Sequence, residues 1–353
     1  MAKILMKGNE AVGKAAIEAG CKYFFGYPIT PQNEIPEYMA KELPNRGGVF
    51  LQAESEVAAI NMVYGAAGTG ARVMTSSSSP GIALKQEGIS YLAGAELPSV
   101  IVNMMRGGPG LGGIQPSQAD YFMSTRGGGN GDYRHIVYAP ATVQEAVDMV
   151  MEAFEVADYY RMPVMVAGDG MIGQMMEPVE FKAPKKRDLK EKTWASVGTE
   201  GKRQPNIINS LFLDPQELED HCLRLEDKYA TIEKDETQYE MYKTDDAELV
   251  FVAYGTTSRI VKNVVEELRA EGVKAGLIRP ITLWPFPFKA FDEVAETAKN
   301  FITVEMSTGQ MVEDVRLGAN GRAPVHFTGR TGGMIPTPAG IKEKALEVLG
   351  GAR

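Results

Sequence analysis

Short apolar runs alternate with helical patterns over the first 180 residues, and this alternation limits the possible fold more than any other feature. Two of the runs, "SVIVNMM" and "PVMVAGD", are almost continuously apolar, as is typical of central strands in a parallel sheet. Strands that alternate with helices predict a parallel sheet with helices on both faces. The expected strands are Tyr23–Gly26, Val49–Gln52, Arg72–Thr75, Ser99–Asn103, His135–Tyr138 and Val164–Ala167. The expected helices are Gly8–Ala19, Ile35–Lys41, Glu54–Gly68, Gly81–Gly94 and Val143–Tyr160.

The last hundred residues carry a second, shorter α/β pattern. The segments "ELVFVAYG", "KAGLIRPI" and "NFITVEM" are expected to be strands, whereas "TTSRIVKNVVEELRAEG" and "FKAFDEVAETAK" are expected to be helices. The closing "PTPAGIKEKALEVLG" predicts a helix with proline near its start and Gly350 at its end. We therefore expect an α/β domain at residues 1–185 and a smaller α/β domain at residues 248–353.

The intervening residues 186–247 are polar and carry few periodic apolar positions. Asp214 is a candidate helix N-cap with Pro215 at the first helical position. Leu218, Cys222 and Leu225 form a partial apolar stripe on a heavily charged helix. This segment is therefore expected to be a linker that includes a helical arm.

Charge and cysteine content exclude several functions. The chain has 37 basic and 46 acidic residues, so its net charge of -9 argues against nucleic acid or an anionic membrane as a partner. The sequence contains no apolar run of the roughly 18 to 20 residues that cross a membrane, and "ILM" near the start is too short for a signal peptide. A cytoplasmic protein is expected. Two cysteines, Cys21 and Cys222, cannot ligate an iron–sulfur cluster, and no metal site is expected on this chain.

The helix that follows the expected strand at Val49–Gln52 is the strongest candidate site element. Between residues 57 and 67 only Asn61 is frankly polar, so this helix is expected to be buried nearly all round. Glu56 would then lie at the mouth of a core helix, at the sheet edge where open α/β sheets bind ligands. The pattern alone leaves a second interpretation open, in which Glu54 and Glu56 only favour the first helical turn.

A stiff loop, "GYPITPQNEI", follows the expected strand at Tyr23–Gly26. Pro28 and Pro31 fix their own φ angles and restrict the residues before them. A loop with so little freedom loses little entropy when it binds a ligand. The alternative is a rigid turn between a strand and a helix with no chemical role.

Arg106 follows the expected strand "SVIVNMM", and an arginine at this sheet edge can bind a carboxylate through two parallel hydrogen bonds. A solvated arginine at a strand end is the alternative, and Arg126 is a second candidate. The glycines from 108 to 113 formally fit G-x-G-x-x-G, but "IQPSQADYF" follows where a dinucleotide site needs a helix. We therefore interpret this segment as a mobile active-site loop.

In combination, "YPITP", "ESE", "GAAGTGAR" and "TSSSSPG" resemble the alpha-type chain of the 2-oxoacid:ferredoxin oxidoreductases. The resemblance extends to "IVNMMRGGPG", "PVMVAGDG" and "LIRPITLWPFP". It implies a parallel-sheet domain that binds the pyrimidine ring of thiamine diphosphate, followed by a transketolase C-terminal-like domain. The segment "GGPGLGGIQPSQADYF" is most similar to the 3-methyl-2-oxobutanoate (2-ketoisovalerate) type. A 2-oxoglutarate enzyme, a non-catalytic scaffold subunit and a self-sufficient thiamine enzyme are the alternatives.

The resemblance gives the candidate residues roles. Glu56, rather than Glu54, would hydrogen-bond N1′ of the aminopyrimidine ring and thereby activate the cofactor, which carries the chemistry. The Thr30 hydroxyl would lie near the oxygen atoms of the substrate, and Arg106 would bind its carboxylate. Further cofactor contacts are expected from Tyr27, Pro28, Ile29 and Ser78. For the serines of "TSSSSPG", simple helix capping is the alternative.

The resemblance also implies partner chains. Similar thiamine enzymes hold the diphosphate-bound Mg²⁺ with a GDG motif and a paired asparagine about 25 to 30 residues later, through oxygen ligands. The sequence has "GDG" at 168–170 without that pair, so Asp169 is expected to be a strand-end residue in an ordinary loop. The magnesium half of the site would lie on a beta subunit, and iron–sulfur clusters on a small ferredoxin-like subunit. A gamma subunit, ferredoxin and the co-substrate coenzyme A complete the implied system, which oxidatively decarboxylates a 2-oxoacid.

Overall fold

The structure, a computed structural model, describes residues 3–350. Its strands are β1 (Ile4–Lys7), β2 (Tyr23–Gly26), β3 (Val49–Gln52), β4 (Val73–Ser77), β5 (Ser99–Met105), β6 (Ile136–Tyr138), β7 (Pro163–Asp169), β8 (Met176–Val179), β9 (Tyr239–Tyr242), β10 (Leu249–Val252), β11 (Ala275–Pro280), β12 (Thr282–Trp284), β13 (Asn300–Glu305) and β14 (Val325–Gly329). Its helices are α1 (Gly8–Glu18), α2 (Glu34–Glu42), α3 (Glu56–Gly68), α4 (Ser79–Gly94), α5 (Tyr121–Thr125), α6 (Val143–Tyr160), α7 (Gly170–Gln174), α8 (Pro215–Asp235), α9 (Gly255–Ala270), α10 (Lys289–Glu293), α11 (Met311–Ala319) and α12 (Pro338–Gly350).

Seven strands form the first sheet, in the order β12-β6-β7-β5-β4-β2-β3. The six strands predicted in the first half of the chain are present and mutually parallel, and the five predicted helices are also present, with bounds within two residues of those expected. The central strands β5 and β7 are buried at every residue. Their continuous apolar sequences follow from this burial, because helices cover both faces of a parallel sheet.

The seventh strand, β12, was not predicted and comes from the second half of the chain. It pairs antiparallel with β6 at the sheet edge, where Thr282 lies opposite Tyr138. The predicted strand "KAGLIRPI" therefore stops at Pro280, and after Ile281 the chain enters the other sheet. The carbonyl of Ile281 accepts a hydrogen bond of 2.8 Å from the Ala139 amide at this transition. The apparent single run is thus divided between two sheets.

The second sheet has the order β14-β13-β10-β11-β9, and only its edge strand β9 is antiparallel to its neighbour. One face packs against α9 and α12 in a separate apolar cluster. The other face contributes Val250, Val252 and Ile278 to the apolar core of the first domain. The two sheets are therefore joined through a continuous core.

The connecting arm contains the predicted helix. The Asp214 carboxylate caps α8 and accepts hydrogen bonds from the amides of Gln216 and Glu217 at 2.8 and 3.4 Å. The predicted apolar stripe is only partly correct, because Leu218 is 42% exposed and Cys222 is half-buried. The buried positions of α8 are His221, Leu225, Tyr229 and Ile232, which lie on a neighbouring face of the helix.

Helix α3 departs from its predicted burial. One face, including Glu56, Ile60 and Val63, packs on α4 and on strands β2 and β4. The opposite face is open, and Val57 is 44% exposed. The prediction of a helix buried all round is wrong for the single chain, because no other element of the described residues lies over this face.

No helix within residues 3–350 has the length and apolar character needed to cross a membrane.

Candidate active site

The predicted site residues lie at one edge of the first sheet. Glu56 begins α3 after β3, Ser78 precedes α4 after β4, and Arg106 follows β5. The loop that contains Thr30 follows β2. Because these four strands are parallel, their carboxyl ends meet at the same edge. The fold therefore brings together the residues that the sequence identified separately.

Glu56 is a buried carboxylate, with 7% of the residue exposed. Helix α3 begins at this position because the Ser55 hydroxyl caps it, accepting a hydrogen bond of 3.1 Å from the Ala58 amide. The space beside the carboxylate depends on Gly81 in the first turn of α4. A Cβ atom at position 81 would lie 2.7 Å from Glu56 Oε1 and 2.1 Å from Ser77 Oγ. Glycine at 81 thus leaves room around the carboxylate.

Two serines at the end of β4 have free hydrogen-bonding capacity. The hydroxyls of Ser77 and Ser78 are buried and have no hydrogen-bond partner. Ser78 is the N-cap residue of α4, but its side chain makes no capping hydrogen bond. Buried hydroxyls without partners are costly, so these two groups are suited to contact a bound ligand. Ser78 is among the predicted contacts and Ser77 is not, since nothing in a run of four serines distinguishes its members.

The Pro28–Pro31 loop is fixed by side chains from elsewhere in the fold. The carbonyl of Pro31 accepts hydrogen bonds from Asn9 and Gln174 at 2.7 and 2.9 Å. Gln32 is fully buried, accepts a hydrogen bond of 2.5 Å from Ser76 Oγ, and donates to the Tyr27 carbonyl at 3.5 Å.

These bonds leave the first part of the loop open. Tyr27 and Pro28 are exposed, whereas Ile29 and Thr30 are half-buried. The loop therefore presents a fixed surface at the sheet edge.

Arg106 connects this loop to the next one. Its guanidinium donates to the Thr30 carbonyl at 2.8 Å and to the Leu111 carbonyl at 2.9 Å. The side chain is only 8% exposed, and its Nε has no partner. The guanidinium is thus held rigidly, with one buried donor free. Arg126 instead pairs with Asp314 at 3.1 Å.

Asp120, which sequence analysis missed, supports the arginine. Its carboxylate accepts hydrogen bonds from Ser79 Oγ at 2.6 Å and Asn103 Nδ2 at 2.9 Å. Ser79 Oγ in turn accepts from the Arg106 amide at 2.9 Å. Burial raises the pKa of Asp120. The residue lies in a segment without regular structure, so no sequence pattern marked it.

The glycine run at 108–113 does not form a dinucleotide site, and "GDG" at 168–170 lacks the paired asparagine of a magnesium site. After Gly113 no helix begins until Tyr121, so the glycine run lacks the helix of a dinucleotide site. Asp169 is fully buried and caps α7, accepting from the Met171 and Ile172 amides at 2.9 and 3.2 Å. Asp169 ends β7, as expected, but the ordinary loop expected there is wrong, since this capping starts a short helix. Burial raises the pKa of the Asp169 carboxyl.

Comparison with known proteins identifies the family. A family model described as "Pyruvate flavodoxin/ferredoxin oxidoreductase, thiamine diP-bdg" matches residues 14–244, and "Pyruvate:ferredoxin oxidoreductase core domain II" matches residues 247–341. The chain is 52% identical over 350 residues to "Ketoisovalerate oxidoreductase subunit VorB" of Methanothermobacter thermautotrophicus, covering 99% of each chain. It is 37% identical to "2-oxoglutarate synthase subunit KorA" of Methanothermobacter marburgensis, covering 97% of this chain and 98% of that one.

Solved structures agree with these matches. The fold superposes with a TM-score of 0.87 and 28% identity on a 2-oxoglutarate:ferredoxin oxidoreductase from Magnetococcus marinus, solved with 2-oxoglutarate, coenzyme A and succinyl-CoA bound. The match covers 98% of this chain and 65% of that one, so the chain spans slightly less than two thirds of its length. A split-gene transketolase superposes with a TM-score of 0.60 at 15% identity, a likeness of fold alone.

The residues present fit the aminopyrimidine half of thiamine diphosphate. This ring has polar edges, which the buried Glu56 carboxylate and the unpartnered hydroxyls of Ser77 and Ser78 can match. Gly81 keeps the adjoining space free. Within residues 3–350, no three histidine, cysteine or acidic side chains are grouped so that they could hold a metal ion.

The predicted fold class and the predicted family are both confirmed. The α/β architecture with largely parallel sheets matches that of the family, and the thiamine-binding model spans more than half of the chain. Enzymes of this kind act as multi-subunit oxidoreductase complexes, and relatives of this chain are named as single subunits. The chain therefore belongs to the thiamine diphosphate-binding 2-oxoacid:ferredoxin oxidoreductase family.

Proposed function

We propose that this chain is the alpha-type subunit of an enzyme that oxidatively decarboxylates 3-methyl-2-oxobutanoate. The complex would convert this branched-chain 2-oxoacid and coenzyme A to acyl-CoA and CO2, and two electrons would pass singly to ferredoxin. The observation that carries the proposal is the meeting of the buried Glu56 carboxylate and the Arg106–Thr30 pair at one sheet edge. The 52% identity to a ketoisovalerate oxidoreductase subunit, against 37% to a 2-oxoglutarate synthase subunit, supports the substrate.

Glu56 is the residue proposed to act on the cofactor. Thiamine diphosphate, when bound, supplies the nucleophilic carbon and electron sink that decarboxylation requires. The Glu56 carboxylate would accept a hydrogen bond from the pyrimidine ring and hold its proton at N1′. Further contacts to the cofactor are proposed for Tyr27, Pro28, Ile29 and Ser78, which follow the ends of β2 and β4.

Thr30 and Arg106 are proposed to bind the substrate. The Arg106 guanidinium is fixed by two main-chain carbonyls and would place positive charge beside the carboxylate of the 2-oxoacid. The Thr30 hydroxyl accepts a hydrogen bond of 3.4 Å from the Asn33 side chain. It would contact the oxygen atoms of the substrate. These groups orient the substrate before chemistry begins, which contributes to the rate through proximity.

The charges around this pair favour a monocarboxylate substrate. A second carboxylate, as in 2-oxoglutarate, would need another free cation. Lys7 pairs with Glu34 at 2.5 Å on the helix that follows the loop. Arg126 pairs with Asp314 at 3.1 Å. Both cations are therefore paired within the chain, and the ammonium of the buried Lys85 is held by Thr75 and Ser76.

Partner chains are proposed to supply the rest of the site. A beta subunit would bind the diphosphate and Mg²⁺, and a ferredoxin-like subunit would carry iron–sulfur clusters, with a gamma subunit completing the complex. The open face of α3, where Val57 is 44% exposed next to Glu56, supports contact with another chain. Two cysteines, Cys21 and Cys222, are too few for a cluster, and both are unpaired, which supports a cytoplasmic location.

The domain limits are also part of the proposal. We propose a pyrimidine-binding domain at residues 1–185, a linker with a helical arm at 186–247 and a transketolase C-terminal-like domain at 248–353. The lack of regular structure before α8 supports the first limit. Strand β12 modifies this division, since it returns to the first sheet.

Purification of the native complex and an assay of acyl-CoA formation with a panel of 2-oxoacids test the function. We expect the highest kcat/KM with 3-methyl-2-oxobutanoate, a strict need for coenzyme A and a low-potential acceptor, and a brown colour from partner clusters. A preference for 2-oxoglutarate would assign the alternative substrate. Full activity in a Glu56→Gln complex would instead indicate a scaffold subunit, and direct reduction of NAD would contradict the proposal.

A further inference from the structure

One face of α4 lies against α3 beside the candidate site. Gly81, Lys85 and Gly88 are spaced by four and three residues, which places them on the same helix face. A Cβ at position 81 would lie 2.7 Å from Glu56 Oε1, and one at position 88 would lie 2.5 Å from Ile60 Cγ2. The two glycines therefore let α3 approach closely, and Lys85 lies between them on the face that Glu56 contacts.

Lys85 is fully buried, with no exposed surface. Its ammonium donates hydrogen bonds to Thr75 Oγ1 at 2.7 Å and to the Ser76 carbonyl at 3.0 Å. Both acceptors are neutral and lie on β4. Long side chains on a helix point toward its N-terminus, so the ammonium extends from position 85 toward Gly81 and Glu56. A buried lysine normally requires an opposite charge. The Glu56 carboxylate on the facing helix is near enough to raise the pKa of Lys85, but the two groups form no direct salt bridge.

The other charged groups near this edge have their own partners. The Arg106 guanidinium bonds the Thr30 and Leu111 carbonyls, and the Asp120 carboxylate accepts from Ser79 and Asn103. On β4, the side chains that face Lys85 are uncharged. Among the described residues, Lys85 and Glu56 are thus neighbouring opposite charges that have no charged hydrogen-bond partner of their own.

Lys85 also supports the loop that carries Thr30. Its hydrogen bonds hold Thr75 and Ser76, and Ser76 Oγ donates to Gln32 at 2.5 Å. Gln32 then donates to the Tyr27 carbonyl at 3.5 Å, at the start of the Pro28–Pro31 loop. The ammonium therefore lies at the centre of contacts to both proposed halves of the site.

We propose that Lys85 is a positioning residue whose buried ammonium is the countercharge of Glu56 and favours binding of the cofactor at that carboxylate. This inference rests on the proposed function, because it assumes that Glu56 contacts the pyrimidine ring. It predicts that the site works best while Lys85 carries its proton. Loss of that proton removes the countercharge and weakens cofactor binding.

The charge of Lys85 changes within the physiological pH range. Burial lowers the pKa of this lysine from 10.5 to about 7, and the nearby Glu56 charge opposes that shift. The charged form therefore costs folding free energy below pH 7, and this cost is relieved as pH rises toward 10.5, because the unfolded chain then binds more protons. A chain that retains such a lysine would have a lower free energy of unfolding, and the charge would be kept for its function.

The test measures the affinity of the apo complex for thiamine diphosphate by calorimetry between pH 6 and 9, with Mg²⁺ present. Wild type, Lys85→Met, Lys85→Arg, Glu56→Gln and the Glu56→Gln/Lys85→Met double variant are compared. Lys228→Met is the matched control, since Lys228 is a largely buried lysine on α8 that pairs with Glu96 at 2.8 Å. Thermal unfolding of each complex is recorded at the same pH values.

We expect wild-type affinity to fall about tenfold as pH rises through 7, a typical coupling between groups that share one site. Lys85→Met should show the weak affinity at every pH, and Lys85→Arg should keep the strong affinity at high pH. The double variant should bind like Glu56→Gln, because Lys85 acts through Glu56. Lys228→Met should retain the wild-type profile.

Wild-type affinity and pH dependence in Lys85→Met would overturn the inference, as would a full additional loss in the double variant. A Lys85→Met complex that only melts lower, with unchanged affinity, would show a structural role and also overturn it. If the Lys85→Met complex fails to assemble, the wild-type complex alone provides the test. A wild-type affinity for thiamine diphosphate that does not change between pH 6 and 9 would then overturn the inference. Unimpaired binding and activity in Glu56→Gln would refute the proposed function itself, a result distinct from these.

Discussion

The guanidinium of Arg106 donates a hydrogen bond of 2.8 Å to the main-chain carbonyl of Thr30. The two residues are 76 positions apart and follow different strands, yet they form one rigid unit at the sheet edge. The arrangement links the loop after β2 to the loop after β5. A substrate carboxylate bound there would meet a guanidinium that is already held in place, which lowers the entropy cost of binding.

Replacement of Arg106 by lysine is expected to impair use of the 2-oxoacid. Lysine keeps the charge but cannot bond Thr30, Leu111 and a carboxylate in the same planar geometry. Loss of a hydrogen bond to a charged group predicts a fall in kcat/KM of about 10- to 100-fold. Steady-state assays of the complex with 3-methyl-2-oxobutanoate measure this. Arg126→Lys is the matched control, and an equal loss in that variant would contradict the assignment.

Substitution of Gly81 by alanine is expected to remove cofactor binding. The added Cβ would lie 2.1 Å from Ser77 Oγ and 2.7 Å from Glu56 Oε1, so the helix or the carboxylate must shift. Calorimetric titration with thiamine diphosphate measures the loss. Gly65→Ala in α3, where an added Cβ meets nothing within 4 Å, is the control, and it should stabilise the chain by about 0.5–1 kcal/mol. Normal cofactor binding in Gly81→Ala would place the ring elsewhere.

Acid is expected to destabilise the fold through His135. This ring is fully buried, its Nε2 has no partner, and burial lowers its pKa from 6.5 to about 4. Between these values the unfolded chain binds more protons than the folded one, so stability falls as pH drops from 6.5 to 4. Urea unfolding midpoints across this range should decline less steeply in His135→Phe than in wild type. Equal slopes would show that His135 does not titrate in this way.

Removal of the Gln118 side chain is expected to weaken the junction between the two sheets. Its amide donates to the Tyr254 carbonyl at 2.9 Å and accepts from Thr257 Oγ1 and the Met306 amide at 2.8 and 2.9 Å. Gln118→Leu leaves three buried groups unsatisfied, which predicts a loss on the order of 3 kcal/mol in unfolding free energy.

Chemical denaturation measures this effect. The exposed Gln216→Leu on α8 should change stability by less than about 0.5 kcal/mol. A comparable change in both variants would show that the Gln118 hydrogen bonds contribute little.

The sequence determined the first sheet domain nearly completely. Strands such as Tyr23–Gly26 and Val49–Gln52 and the helix at Val143–Tyr160 were predicted with their observed bounds, because apolar periodicity and caps act within a few neighbouring residues. Asp214 and Pro215 likewise marked the start of α8. The family resemblance rested on short motifs of this kind. It favoured Glu56 among the acidic residues as the cofactor contact, a role that stays a prediction.

Tertiary structure alone decided how distant segments meet. Nothing near residue 282 indicates that β12 leaves the second sheet and pairs with β6, since pairing depends on which edge is open. The open face of α3 at Val57, the position of Gly81 opposite Glu56 and the burial of Lys85 have the same origin. Each depends on close approach between segments far apart in the chain. Such contacts are set by packing of the whole core, whereas local patterns specify only the elements that take part.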